Sequence, residues 1–89
     1  MISRTTTRFW KYYEKLPKEI KEKSKEIFRF FQKDPFHPSL HFKRVHSSKP
    51  IFSVRITKDY RVIGILDKNE IIWFWIGNHE EYEKIIKRL

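Results

Sequence analysis

The sequence predicts an α+β domain in which two N-terminal helices pack on a small antiparallel sheet and a short helix closes the chain. Three observations carry that reading. Apolar residues recur at helical spacing early in the chain, with Phe9, Tyr12, Tyr13 and Leu16 in one group and Ile20, Ile27, Phe28 and Phe31 in the next. From Ile51 onward the pattern changes to β-branched and aromatic runs separated by short polar turns, as antiparallel hairpins require. The length of 89 residues, with 2 Gly and 4 Pro, suits one compact domain spanning 1–89 and leaves little material for a linker.

Each element has a local reason. Ile2 to Thr6 reads as a short, polar, β-branched strand, and Thr7 as the N-cap of a first helix that ends by Leu16. Pro17 fits the first turn of the second helix, where Ile20, Ser24, Ile27 and Phe31 share a face and Lys and Glu cover the rest. Asp34-Pro35 and His37-Pro38 stop that helix, and Leu40 to Val45 is the next candidate strand. Ile51 to Ile56 alternates Phe52, Val54 and Ile56 inward with Ser53 and Arg55 outward, then Thr57 to Tyr60 turns the chain into Arg61 to Leu66. After a second turn at Asp67 to Glu70, Ile71 to Ile76 is apolar on both faces, as expected of a strand covered from two sides. Trp73 and Trp75, two apart within it, read as core, with stacking on RNA bases the alternative. Asn78 is a natural N-cap, Glu81 lies at the capping-box spacing, and Tyr82, Ile85, Ile86 and Leu89 form the stripe of the closing helix.

Composition narrows the function. The absence of cysteine excludes disulfides and thiolate metal sites, and no apolar run approaches the ~20 residues of a membrane span. The polar, Thr-rich start differs from an export signal, so the expected location is the cytoplasm. A formal charge of +9 favours a polyanionic partner, whether nucleic acid, ribosome or acidic protein. Between Pro35 and Arg61 stand six bases and one acid, against four bases and five acids from Val62 onward, so the basic surface centres on the middle segment. A basic surface with no ligand is the alternative.

Arg55 and Arg61 flank a tight turn, while His79 follows the next strand and opens a helix that also carries Tyr82. Folding can therefore gather guanidinium, imidazole and phenol around one phosphodiester. RNA cleavage needs no metal or cofactor, because the 2′-hydroxyl is the nucleophile and the protein supplies a base, an acid and cations for the phosphorane. Arginine suits the last task through its bidentate fork, and histidine the proton transfers. Lys43, Arg44, His41, His46 and Lys58 are candidates for holding the RNA strand. Competing structural roles are open: Tyr82 begins an apolar stripe and His79 can be a helix-start residue. The spacing of His37, His41 and His46 fits no regular metal-binding pattern, and none is expected to hold a metal.

The ordered set Thr6-x-x-Phe9-x-x-Tyr12, Lys15-Leu16-Pro17, Pro35-x-His37-Pro38-Ser39-Leu40, Ser53-x-Arg55, Tyr60-Arg61 and Gly77-x-His79-x-x-Tyr82 resembles the RelE/ParE superfamily of type II toxin–antitoxin toxins. The resemblance implies an acidic antitoxin as partner and, commonly, cleavage of mRNA in the ribosomal A site. Arg61 matches the arginine that ribonuclease members place against the scissile phosphate, and His79 the histidine that several carry after the last strand. Arg55 and Tyr82 match a frequent basic position and a terminal tyrosine. The departures are the lack of any acid from Pro35 to Lys58, where some relatives carry a glutamate base, and Phe52 and Val54 where others carry lysines. The alternatives are a non-enzymatic DNA gyrase inhibitor of the ParE branch, which generally lacks the histidine, and a degenerate antitoxin-binding relative.

Overall fold

A computed structural model describes residues 1–89. The chain runs β1 (Ile2–Thr5), α1 (Thr7–Glu14), α2 (Lys18–Lys33), a 3₁₀ turn (Pro38–Leu40), β2 (Lys43–Arg44), β3 (Ile51–Thr57), β4 (Tyr60–Asp67), β5 (Glu70–Asn78) and α3 (His79–Arg88). The sheet order is β1-β5-β4-β3-β2. Strands β2 to β5 form the expected antiparallel sheet, and β1 adds an edge that runs parallel to β5, so the sheet is mixed.

One apolar layer lies between the sheet and α1 and α2. Phe9, Tyr13, Leu16, Ile27 and Phe31 meet Val54, Ile56, Val62, Ile71, Trp73 and Ile76 there. Ser24 fits this helix face because its hydroxyl donates to the Lys21 carbonyl at 2.8 Å, within its own turn. A smaller layer on the opposite face holds Ile51, Ile63 and Trp75 under Tyr82 of α3. That second layer adds a cover to the outward face expected of Ser53. Ser53 does project away from the main core, but α3 covers it, leaving it 1% exposed and accepting a 3.3 Å bond from the Tyr82 hydroxyl.

A bulge in the β4–β5 ladder governs the tryptophans. Ile63 pairs with Trp75 and Gly64 with Trp73, so Phe74 is the extra residue. The parity of β5 therefore switches, sending Trp73 into the α1–α2 layer and Trp75 into the α3 layer despite their two-residue spacing. Gly64 is required by this packing, since a Cβ there would stand 2.7 Å from Trp73 Cε3.

Three local expectations shift. Thr6, not Thr7, caps α1 by accepting from the Phe9 amide at 3.1 Å. Pro17 is the N-cap of α2 and lies just outside its first turn. The strand expected over Leu40 to Val45 shrinks to Lys43–Arg44, because Leu40 belongs to the 3₁₀ turn and His41 takes a left-handed conformation at φ 47°. No helix is long and apolar enough to cross a membrane.

Candidate functional site

The β3–β4 hairpin is the base of the site. Arg55 and Arg61 are register partners, so both side chains leave the same face of the sheet side by side. Both are half-buried, and neither belongs to an ion pair within the chain. Burial, with the adjacent Arg55 charge, pushes the Arg61 guanidinium below its ordinary pKa, while Tyr82, Asp59 and Glu83 act weakly the other way. It stays protonated at physiological pH nonetheless.

The hairpin turn holds Arg61 in place. Its Nη1 donates to the carbonyls of Thr57 at 2.6 Å, Tyr60 at 3.1 Å and Lys58 at 3.2 Å, leaving Nε and Nη2 without partners in the chain. Half of the fork is thus fixed by backbone and half can take a ligand's oxygens. Arg55 Nη1 donates to His41 Nε2 across a long 3.5 Å, which places the proton of a neutral His41 ring on Nδ1.

On the other side of Arg61, its partner in β5 is Gly77, which offers no side chain to crowd it. Asn78 then caps α3 by accepting from the Glu81 amide at 2.8 Å, and the His79 amide donates to Asp59 O at 2.7 Å, tying the helix start to the hairpin. The His79 ring lies half-exposed over Tyr82, with centroids 5.9 Å apart and planes 25° from parallel. Its Nε2 stands 3.4 Å from Glu83 Oε1, one helical turn on. Across the sheet the order is therefore His41, Arg55, Arg61, His79: two imidazoles flanking two guanidiniums.

The other sequence candidates divide. Lys43 is exposed and pairs with Ser53, on the same face as Arg55, and Lys58 is exposed at the hairpin tip. Arg44 turns back on its own loop, where Nε donates to the His46 and Lys49 carbonyls at 3.1 and 3.2 Å and Nη2 to Ser48 O at 2.9 Å. His46 is also committed internally. Its Nδ1 accepts from the Ser48 and Lys49 amides at 3.1 and 2.9 Å, so the proton sits on Nε2, which bonds the Leu89 carbonyl at 2.9 Å. His37 packs on Phe30 and caps the 3₁₀ turn, its Nδ1 accepting from the Ser39 amide. Tyr82 is 7% exposed with its hydroxyl turned into the sheet toward Ser53, so its ring floors the site while its phenol faces away from solvent.

Two contributors to the site carry no strong sequence signal. Glu83 was legible in principle, standing four residues after His79 where helical side chains meet. The carbonyl cradle of Thr57, Lys58 and Tyr60 was not, because main-chain atoms leave no mark on residue identity. The cluster offers cations and imidazoles, and no three His, Asp or Glu side chains converge as a metal site.

The comparisons agree with this architecture. A family model described as a ParE-like toxin domain matches residues 18–84. The fold is similar to the RelB–RelE antitoxin–toxin complex from Methanococcus jannaschii, with TM-score 0.75 and 16% identity over 92% of this chain and 96% of that one. It is similar also to YafQ from E. coli, with TM-score 0.73 and 16% identity over 90% and 94% of the two chains. For the YoeB/ParE toxin from Agrobacterium tumefaciens the values are 0.69 and 19% over 89% and 99%. No curated protein matches by sequence. With the family model covering α2 through most of α3 and the RelE-like fold present throughout, the chain belongs to the ParE-like toxin domain family.

Proposed function

We propose that this protein is the toxin of a type II toxin–antitoxin pair and a metal-independent endoribonuclease that cleaves mRNA in the ribosomal A site, in the cytoplasm. The observation that supports it is the row His41, Arg55, Arg61, His79 across one sheet face, with the two arginines unpaired. The free half of the Arg61 fork and the Arg55 guanidinium hold the non-bridging oxygens of the scissile phosphate. One imidazole removes the 2′-hydroxyl proton as that oxygen bonds to phosphorus. The P–O5′ bond breaks as the other protonates the leaving oxygen, giving a 2′,3′-cyclic phosphate and a 5′-hydroxyl. Glu83 and the Tyr82 ring orient His79, and Lys43 and Lys58 hold flanking phosphates.

The same uncompensated cations suit a cognate acidic antitoxin, as in the RelB–RelE antitoxin–toxin complex of M. jannaschii. Antitoxin and RNA then compete for one surface.

The test is induced expression with mRNA 5′ ends and plasmid supercoiling mapped in parallel. New 5′-hydroxyl ends are expected, reduced about 100-fold or more in His79→Ala and Arg61→Ala. Intact mRNA with altered supercoiling would assign gyrase inhibition instead. Intact mRNA, normal supercoiling and recovery of an acidic companion would leave antitoxin binding as the sole function.

A further inference from the structure

Gly77 has no backbone reason to be glycine. It lies inside β5, and no glycine of the chain takes a positive φ. Glycine within a strand packs nothing and weakens it, and its presence marks a close approach by another group. Here that group is the Trp75 indole, two residues earlier on the same face of the sheet. A Cβ on Gly77 would stand 2.6 Å from Trp75 Cζ2 and 2.8 Å from Cη2, so the far edge of the indole lies against the bare Cα.

That contact is the first step of a row of rings. Trp75 meets Tyr82 with centroids 6.5 Å apart and planes at 41°, and Tyr82 carries the His79 imidazole at 5.9 Å and 25°. Gly77 is also the register partner of Arg61. The row therefore begins on the strand beside the guanidinium and ends at the imidazole.

We propose that Gly77 is a positioning residue for His79: its missing side chain seats the Trp75 indole and, through Tyr82, sets where the imidazole stands relative to Arg61. The consequence for catalysis rests on the ribonuclease reading. Trp75 is 4% exposed, and a close-packed interior passes a displacement on rather than absorbing it. A methyl rising from Gly77 would push the indole away from the backbone, into the layer where α3 lies. Tyr12 stands against the indole from α1, with centroids 6.1 Å apart. Tyr82 is buried and bound through its hydroxyl to Ser53, so its ring moves only together with the start of α3. The half-exposed His79 ring, at the end of the row, is the one free to shift. Proton transfer is sensitive to such a shift, since a misplacement of about 1 Å can cost about 100-fold in rate.

The test is a double-mutant cycle in which Gly77→Ala is made in the wild type and in Trp75→Phe, whose smaller ring lacks the edge that the methyl would strike. The first readout is the Cε1–H resonance of the His79 imidazole, assigned by its loss in His79→Ala, which feels the ring current of Tyr82. Gly77→Ala is expected to shift it in the wild type and to leave it in place in Trp75→Phe, with His37 and His46 unmoved in both. The second readout is RNA cleavage. Gly77→Ala is expected to lower kcat between about tenfold and 100-fold with KM nearly constant, because the arginines still hold the phosphate, and to have no further effect in Trp75→Phe. A His79 signal unmoved by Gly77→Ala overturns the proposal, whatever happens to the rate. An equal shift in both backgrounds also overturns it, since the methyl would then act without the indole. If Gly77→Ala does not fold, Trp75→Phe alone decides: withdrawing the indole edge from beside Tyr82 has to move the His79 signal, and a still signal overturns the proposal. If the wild type cuts no RNA, the resonances still decide what seats His79, and only the ribonuclease reading is lost.

Discussion

Arg55 and Arg61 face each other in the β3–β4 ladder, and the chain brings neither a carboxylate at ion-pair distance. Like charges directly opposite in a sheet are unfavourable, so the fold holds this pair against a cost that an anion would remove. Burial and Arg55 lower the Arg61 pKa, which makes the charged form the penalised one. The penalty is therefore in force at every pH below the lowered value, the neutral range included, and would lift only as the group lost its proton in strong alkali.

Sulfate at low millimolar concentration should accordingly raise Tm more than chloride does at equal ionic strength, with a saturable dependence that Arg61→Met removes, leaving only the general effect of sulfate on burial. Scanning fluorimetry in matched salts measures it. Equal shifts from both salts would show that the pair is no anion site.

Arg55→Met should relieve about 0.2–1 kcal/mol of cross-strand repulsion while reducing RNA cleavage. Its only hydrogen bond within the chain is the long one to His41, so little is lost in exchange. Urea denaturation and cleavage rates, taken together, would reveal a gain in stability at the expense of activity.

Tyr82→Phe should cost about 1–3 kcal/mol, since it leaves the buried Ser53 hydroxyl without its partner, yet keep cleavage within about tenfold of wild type. The ring beneath His79 survives that change. A loss as large as that of His79→Ala would instead make the phenol a participant in proton transfer.

Arg44→Ala and Lys43→Ala should diverge. Arg44 bonds three carbonyls of the loop before β3, so its loss should destabilise the fold by about 0.5–1.5 kcal/mol, the exposed carbonyls turning to water instead. Lys43, exposed on the sheet face of the arginine pair, should leave stability unchanged when replaced. The salt slope of RNA binding should then fall by about 0.7 for each phosphate that the missing ammonium no longer neutralises. Chemical denaturation and binding titrations over a range of salt concentrations separate the two roles.

The fold was largely legible because period carries it. The stripes of α1, α2 and α3 and the two hairpins follow from spacing and turn residues. The parallel pairing of β1 was not legible, as nothing in Ile2–Thr5 specifies which strand it joins. Neither was the split between Trp73 and Trp75, because a bulge inverts parity without changing the apolar run that contains it. At the site, Arg55, Arg61 and His79 were candidates from residue type and position, and the register shows the two arginines to be direct partners. Arg44 and His46 resemble ligand-binding residues in sequence, and only geometry reveals that backbone groups of their own loop already occupy them.

The bulge has a spectroscopic consequence. Trp73 and Trp75 are each almost fully buried but in separate layers, while Trp10 is 49% exposed. Single-tryptophan variants, with the other two indoles changed to phenylalanine, would report on the α1–α2 layer and the α3 layer independently. Coincident urea curves would mean that both faces of the sheet unfold together. An earlier transition at Trp75 would mean that α3 can lift from the sheet while the larger layer stays packed, baring Ser53 and the underside of the arginine pair without unfolding the domain.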